Sequence, residues 1–178
     1  MNAIALYLLS VKEDGISESE AAKLTRGERS ALEQKDGKFF LKPSERAKFS
    51  VVLTGGVFDV LHMGHVLTLQ KARELGDLLV VIVAADATVE KRKGKKPLHD
   101  AEYRRAMVES LKGVDLALVG GEADWLDTFA RVKPDIVAFG YDQQPIALPV
   151  GCKSAHLKEV VSDPSVAKTS SVIRKLGL

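Results

Sequence analysis

Two histidines, His62 and His65, carry the strongest chemical signal in the chain. They close a segment in which the glycine pair Gly55-Gly56 follows an apolar run rich in β-branched residues, and an amphipathic stretch comes next. This order predicts strand, glycine turn, loop and helix, which is how α/β proteins build phosphate sites. Histidines three residues apart at the start of a helix point the same way, and the helix N-terminus favours an anion beside them. The residues therefore predict a site for a phosphate that gains charge during a reaction.

Residues 56–65 follow the pattern G-x-F-D-x-x-H-x-G-H, which resembles the signature of the cytidylyltransferase-like nucleotidyltransferases. The alternative is an ordinary turn followed by one core histidine and one capping histidine. The resemblance implies that His62 and His65 stabilise the α-phosphate of a nucleoside triphosphate during transfer. Glycines let a backbone approach the triphosphate without a Cβ in the way. The further residues of this segment expected to bind the nucleotide are Gly55, Gly56, Val57, Phe58, Asp59 and Gly64.

A cluster of cations follows the second predicted strand. Its members are Lys91, Arg92, Lys93, Lys95 and Lys96. A loop at the carboxyl end of this strand faces the crevice of a parallel sheet, where cations could hold an acceptor phosphate or the leaving pyrophosphate. The resemblance implies that Lys95 or Lys96 contacts substrate phosphates and that Arg104, in the next helix, joins them. The alternatives are a solvated loop and an exposed helical ion pair for the arginine.

A third segment, 139–143, follows the fourth predicted strand. Gly140 and Asp142 could place backbone groups and a carboxylate on the ribose and base, and the amide of Gln143 could read either adenine or cytosine. The sequence Gly-Tyr-Asp-Gln at 140–143 resembles the archaeal-type FAD synthetases, which transfer AMP from ATP to FMN. The alternative with the same chemistry is CTP with a small phosphate such as glycerol phosphate.

Near the C-terminus, a Ser/Thr run comprising Thr169, Ser170 and Ser171 begins a short predicted helix. Hydroxyls at a helix N-terminus suit an anion, although they also serve as plain caps. The resemblance implies that they hold the β- and γ-phosphates. The Arg-Thr-x-Gly run typical of the family is absent before them, which leaves Lys168 as the candidate cation for the leaving pyrophosphate.

The elements that must position these groups alternate along residues 50–178. Strands are predicted at 51–56, 78–85, 116–120, 135–140 and 156–161, and helices at 66–75, 100–111, 123–132 and 170–176. Continuous apolar strands indicate burial on both faces, and their alternation with helices predicts an α/β, Rossmann-like, doubly wound parallel sheet. With the strand order 3-2-1-4-5, the switch point falls beside the first strand, which carries His62 and His65.

Residues 1–49 differ from the rest of the chain. Helices are predicted at 2–11, 18–24 and 26–34, followed by a turn at Asp36-Gly37 and a strand at 38–41 that ends before Pro43. This order resembles a reduced winged helix. The segment holds nine Lys/Arg and eight Asp/Glu, a balance of 9 − 8 = +1, whereas DNA readers usually carry a clearly basic face. We therefore expect a small helical appendage for packing or dimerisation and no nucleic-acid partner, with a nucleotide-sensing DNA-binding regulator as the alternative.

The length and composition of the chain are typical of an enzyme that acts on small molecules. The chain has 178 residues and a formal net charge of +2, and no apolar run reaches the roughly 18 residues that a membrane span needs. The single cysteine, Cys152, excludes an internal disulfide or a cysteine zinc cluster. We expect a cytoplasmic location, Mg²⁺ accompanying the triphosphate, and no membrane partner. Similar enzymes are commonly dimers, so a homodimer is one expectation that the sequence itself leaves open.

Overall fold

The computed structural model describes residues 1–121, 125–140 and 143–157. The chain divides into two compact units, Met1–Ser50 and Val51–Leu178, which are described separately below. No helix in the described part of the chain is long and apolar enough to cross a membrane.

The first unit contains short helices and one hairpin. Its elements are α1 (Ala3–Lys12), α2 (Glu18–Ala21), α3 (Arg26–Ser30), β1 (Leu32–Lys35), β2 (Lys38–Leu41) and α4 (Pro43–Arg46). Helix α2 begins with the capping box that its sequence predicts, because Ser17 caps the backbone N–H of Glu20 and the Glu20 carboxylate returns to the N–H of Ser17.

The third predicted helix of this unit is too long. It ends at Ser30, and residues 32–35 form a strand that pairs antiparallel with Lys38–Leu41. The turn between them explains the difference, since Asp36 and Gly37 have φ angles of 50° and 78°. Two successive residues with positive φ form the tight turn that suits a two-residue hairpin. Pro43 then begins α4, where its missing N–H is not needed.

The second unit alternates strands and helices. Its elements are β3 (Val51–Gly56), α5 (Met63–Arg73), β4 (Leu78–Val83), α6 (Asp86–Lys93), α7 (Ala101–Glu109), β5 (Leu116–Val119), α8 (Trp125–Val132), β6 (Ile136–Phe139) and β7 (Lys153–His156). All neighbouring strands pair parallel in the order β5-β4-β3-β6-β7. This is the 3-2-1-4-5 order for which the switch point falls beside the first strand of the unit, and the predicted Rossmann-like α/β fold is confirmed.

The core of this unit lies on both faces of the central strands. In β4, every residue except Ile82 is buried, as its continuous apolar sequence predicts. Helices α5 and α7 contribute Leu69, Ala72 and Val108 to the same core. The strand order reverses beside β3, so the crevice at the carboxyl end of the sheet opens next to the glycine turn.

Two elements of the second unit differ from their predictions. The cation-rich segment expected as a loop is largely helix α6, which ends at Lys93 with Gly94 in the left-handed conformation (φ 68°). Three cations lie in its last turn, where their positive charges interact favourably with the negative end of the helix dipole. The last described strand is Lys153–His156, earlier than the predicted 156–161, and it pairs with β6 from Ile136 onward. The predicted final helix, 170–176, lies outside the described residues.

Candidate active site

The glycine turn at the end of β3 is tightly packed. A Cβ on Gly56 would lie 2.9 Å from the ring of Phe58, and one on Gly55 would lie 3.2 Å from the carbonyl oxygen of Ile82. A side chain at position 56 would therefore force the ring of Phe58 to move, and one at position 55 would meet a tight backbone contact. The close approach of a triphosphate to this backbone remains a prediction.

Phe58 shapes the loop that follows. Its φ angle is 53°, in the left-handed region that costs a residue with a Cβ free energy, and its side chain is buried. The ring centroid lies 5.1 Å from that of His65. A strained backbone thus turns an apolar ring against one of the two histidines, which keeps that histidine away from bulk water.

The two histidines lie together at the start of α5. His62 is the residue before the first turn and has extended backbone angles, while His65 belongs to the first turn, which also contains the buried Gly64. Their rings stack with centroids 3.9 Å apart and planes 25° from parallel. The structure therefore brings the predicted pair together at the switch point of the sheet.

His65 is held in its neutral form. The pKa of its imidazole is lowered from 6.5 to about 4, mainly by burial and to a smaller extent by the nearby charges of His62 and Lys93. Its Nδ1 is buried and has no hydrogen-bond partner among the described residues. A buried nitrogen left unsatisfied costs free energy, so this atom has room for a hydrogen bond with water or with a bound ligand.

Asp59 ties the histidine loop to the segment before α7. Its carboxylate accepts hydrogen bonds from the backbone N–H of Leu98 (2.8 Å) and of His99 (3.0 Å). The Nδ1 of His99 lies 3.0 Å from the carbonyl oxygen of Asp59, so the backbone of Asp59 also contacts this segment. The carboxylate is thus used within the protein, and a nucleotide contact for it remains a prediction.

Arg104 is fully buried and holds three loops together. Its guanidinium donates to the carbonyls of Val57 (2.6 Å), Ala84 (2.8 Å) and His99 (2.9 Å). It also pairs with the carboxylate of Asp86. The direct phosphate contact expected for Arg104 does not fit this position, because its donors face protein acceptors. The residue instead fixes the ends of β3 and β4 and the start of α7.

Asp86 is the part of this arrangement that the sequence interpretation missed. It stands three residues beyond the end of β4, on the first turn of a helix that was not predicted. The signal that could have indicated Asp86 is an acidic residue shortly after a buried strand. Its position lies at the carboxyl end of the sheet, as the glycine turn does.

The cations after β4 are all exposed. Lys91, Arg92 and Lys93 form the last turn of α6, and Lys95 and Lys96 follow Gly94. No ion pair in the described part of the chain involves any of these five. Lys93 lies close enough to His65 for its charge to lower the pKa of that residue. The sequence favoured Lys95 or Lys96 as the cation that contacts phosphate. The structure adds Lys93, whose charge acts on the pKa of His65.

Gln143 connects the ends of two neighbouring strands. Its amide nitrogen donates to the carbonyl of Gly55 (2.7 Å), and its amide oxygen accepts from the N–H of Gly140 (2.8 Å). The ring of His156 lies 3.1 Å from the carbonyl oxygen of Gln143. The base-reading role expected for this amide does not fit these contacts, since its donor and acceptor already serve the backbone.

Several predicted site residues lie outside the described residues. They are Asp142, Lys168, Thr169, Ser170 and Ser171. Within the described ranges, no group of three or more His, Cys, Asp or Glu side chains is arranged to hold a metal ion. The carboxylates of Asp59 in the histidine loop and of Asp86 after β4 have protein partners. A Mg²⁺ ion bound by the phosphates of a nucleotide fits this arrangement, because such an ion takes most of its ligands from phosphate and water.

Comparison with known proteins gives a matching family and several named relatives. The family model described as cytidylyltransferase-like matches residues 53–166. A protein named FAD synthase from Aciduliprofundum boonei is 55% identical over 93 residues, which cover 52% of this chain and 62% of that protein. The FAD synthase of Thermococcus sibiricus is 43% identical over 135 residues, covering 70% of this chain and 90% of the relative.

One solved structure is similar in both sequence and fold. It is described as the lipopolysaccharide core biosynthesis protein from Thermoplasma volcanium GSS1, with 45% identity and a TM-score of 0.53 over 55% of this chain and 80% of that one. The family match covers both the glycine turn and the histidine pair. The chain therefore belongs to the cytidylyltransferase-like family.

Proposed function

We propose that this protein transfers AMP from ATP to FMN, forming FAD and releasing pyrophosphate. The observation that carries the proposal is the stacked pair His62 and His65 at the helix start beside the switch point. Relatives named FAD synthase, 42–55% identical over the matched segments, support the choice of ATP and FMN. The matched segment spans 62% of the length of the first of these relatives and 90% of the length of two others.

In the proposed reaction, an oxygen of the FMN phosphate attacks the α-phosphorus of ATP. The new P–O bond forms as the bond to the β-phosphate breaks, and the electron pair leaves with pyrophosphate. The attacking phosphate is already ionised, so no protein base is needed. Catalysis then depends on holding two anions together and on stabilising the charge that develops on the α-phosphoryl oxygens.

The histidines supply that stabilisation. A neutral imidazole has one N–H to donate, and His65 stays neutral at physiological pH. The N–H groups at the start of α5 add a positive dipole end beside the same oxygens. Lys93 adds a positive charge nearby and, with Lys95 and Lys96, offers partners for the acceptor phosphate or the leaving pyrophosphate. Mg²⁺ bound to the phosphates of ATP would withdraw negative charge from them, and the ion would take most of its ligands from phosphate and water.

The remaining assignments rest on the same proposal. Gly140 and Asp142 are proposed to contact the ribose and base, and Thr169, Ser170 and Ser171 the outer phosphates. A cytoplasmic location fits an enzyme that uses ATP. For residues 1–49 we propose a packing or dimerisation appendage, which their nearly balanced charge supports over DNA binding. Sedimentation of the intact chain and of a variant lacking these residues tests the dimer.

Pyrophosphate release tests the function directly. Each of ATP and CTP is offered with each of FMN and glycerol phosphate, in the presence of Mg²⁺, and FAD is identified by chromatography. We expect kcat/KM for ATP with FMN to exceed that for CTP by at least about tenfold, which requires about 1.4 kcal/mol of differential binding. The His62→Ala variant serves as the inactive control. Turnover of CTP with glycerol phosphate, with FMN untouched, would reject this substrate pair.

A further inference from the structure

An uncovered aromatic pair lies at the start of α7. The rings of His99 and Tyr103 stack with centroids 4.7 Å apart and planes within 10° of parallel. Tyr103 is 54% exposed, and the apolar side chain of Leu98 beside them is 66% exposed. A cluster of large apolar and aromatic groups left open to solvent is typical of a binding surface.

This cluster is fixed relative to the histidine loop. The Asp59 carboxylate accepts the backbone N–H groups of Leu98 and His99, and Asp59 stands only three positions before His62. From the other side, Arg104 donates to the carbonyl of His99 at 2.9 Å. Arg104 also donates to the carbonyl of Val57, so two connections hold the segment of the aromatic pair against the loop that leads to His62 and His65.

Charge next to the pair indicates what kind of molecule it binds. Lys95 and Lys96 precede this segment, separated from it by Pro97, and both are exposed. Cations beside a flat apolar surface suit a ligand that has a phosphate at one end and a planar ring system at the other. The acceptor FMN has this form, with a ribityl chain between its phosphate and its isoalloxazine ring.

We propose that Leu98, His99 and Tyr103 form an acceptor platform on which the isoalloxazine ring of FMN stacks. The inference rests on the proposed function and adds the residues that select the acceptor. Glycerol phosphate has no ring and gains nothing from such a surface. The platform therefore explains how this active site distinguishes a flavin from a small polyol phosphate.

Flavin binding to the full-length protein tests the platform. Flavin fluorescence is quenched when the ring stacks on an aromatic side chain, so titration gives Kd for the wild type and for Tyr103→Ala, Tyr103→Phe and Leu98→Ala. We expect Tyr103→Ala to raise Kd for FMN about tenfold, the usual effect of losing one stacking contact, and Tyr103→Phe to bind like the wild type. Val150→Ala is the control, because Val150 is a fully exposed apolar residue far from Tyr103 in the sequence. This variant should leave Kd for FMN unchanged.

Riboflavin separates ring contacts from phosphate contacts, because it lacks the phosphate. Tyr103→Ala should weaken riboflavin and FMN by the same factor, whereas Lys95→Gln should weaken FMN alone. KM for ATP should be unchanged in Tyr103→Ala. A general loss of structure would instead raise KM for ATP as well.

The outcomes distinguish this inference from the proposed function. If the wild type makes FAD and both Tyr103→Ala and Leu98→Ala bind FMN normally, the platform is wrong and the function stands. If the wild type binds neither flavin yet releases pyrophosphate with another acceptor, the proposed acceptor and the platform are both wrong. Equal loss of FMN affinity in Tyr103→Ala and Tyr103→Phe would indicate a hydroxyl contact and would also reject stacking.

Discussion

The amide of Gln143 donates a 2.7 Å hydrogen bond to the carbonyl of Gly55, a residue 88 positions earlier in the chain. With the bond from Gly140 to the same amide, it joins the carboxyl ends of β3 and β6. The end of β6 therefore helps to set the position of the glycine turn. We therefore expect Gln143 to act as a positioning residue rather than as the residue that reads the base.

Gln143→Glu tests that role. A carboxylate has no hydrogen to donate to Gly55, so two oxygens would face each other across this contact. We expect kcat/KM for ATP to fall about tenfold or more, because the turn beneath the nucleotide is displaced. The ratio of kcat/KM for ATP over CTP should stay within about twofold of the wild-type ratio.

Gln144→Glu is the matched control, since it makes the same chemical change at the exposed neighbouring position and should leave both values unaltered. A Gln143→Glu enzyme that shifts its preference toward CTP would restore the base-reading role that the sequence suggested.

Removal of either histidine should reduce turnover strongly. His62→Ala and His65→Ala each remove one donor to the α-phosphoryl oxygens, and we expect kcat to fall by about 10²–10³-fold. Binding of ATP should weaken far less, because the donor acts mainly on charge that develops in the transition state. Steady-state kinetics together with nucleotide titration measure both effects. Near-native kcat in a folded variant would show that the assigned role is wrong.

The lowered pKa of His65 predicts a stability change in mild acid. In the unfolded chain this imidazole binds a proton near pH 6.5, whereas in the folded protein it does so only near pH 4. The unfolded state therefore binds more protons between these values, and the free energy of unfolding decreases as pH falls through this range. Above about pH 7 both states are neutral and the effect disappears.

Urea unfolding of the wild type and His65→Asn measures this effect. Between about pH 7 and about pH 4.5, the wild type should lose more stability than His65→Asn, which has no proton to gain. Parallel losses in the two proteins would show that other groups control the acid response.

Arg104 and Arg105 are neighbours with opposite surroundings. Arg104 is fully buried against three carbonyls, while Arg105 pairs with Glu102 and Glu109 near the surface. We expect Arg104→Met to lower the free energy of unfolding by about 3 kcal/mol, because buried acceptors lose their donor. Arg105→Met should cost less than about 1 kcal/mol, as is usual for pairs near solvent. Equal losses in urea unfolding would contradict the burial of Arg104.

The local sequence determined the site motif and the fold. A glycine pair after an apolar strand and two histidines three residues apart lie within eleven consecutive positions, and the structure places them at a strand end and a helix start. The alternation of buried strands with helices likewise predicted a parallel sheet, and the structure decided the order of its strands around β3. Both signals are periodic or short-range, so neighbouring residues along the chain contain them.

The partners of Arg104, Gln143 and Asp59 were decided by the tertiary structure. The sequence suggested that each of them contacts substrate. In the structure, each forms a hydrogen bond with a backbone group 39 to 88 positions away. These groups belong to Leu98 for Asp59, to Val57 for Arg104 and to Gly55 for Gln143. A polar side chain at a sheet edge can face a ligand or satisfy a buried backbone group. Which of these occurs depends on where distant loops leave unpaired donors and acceptors, and that is known only once the strands are placed side by side.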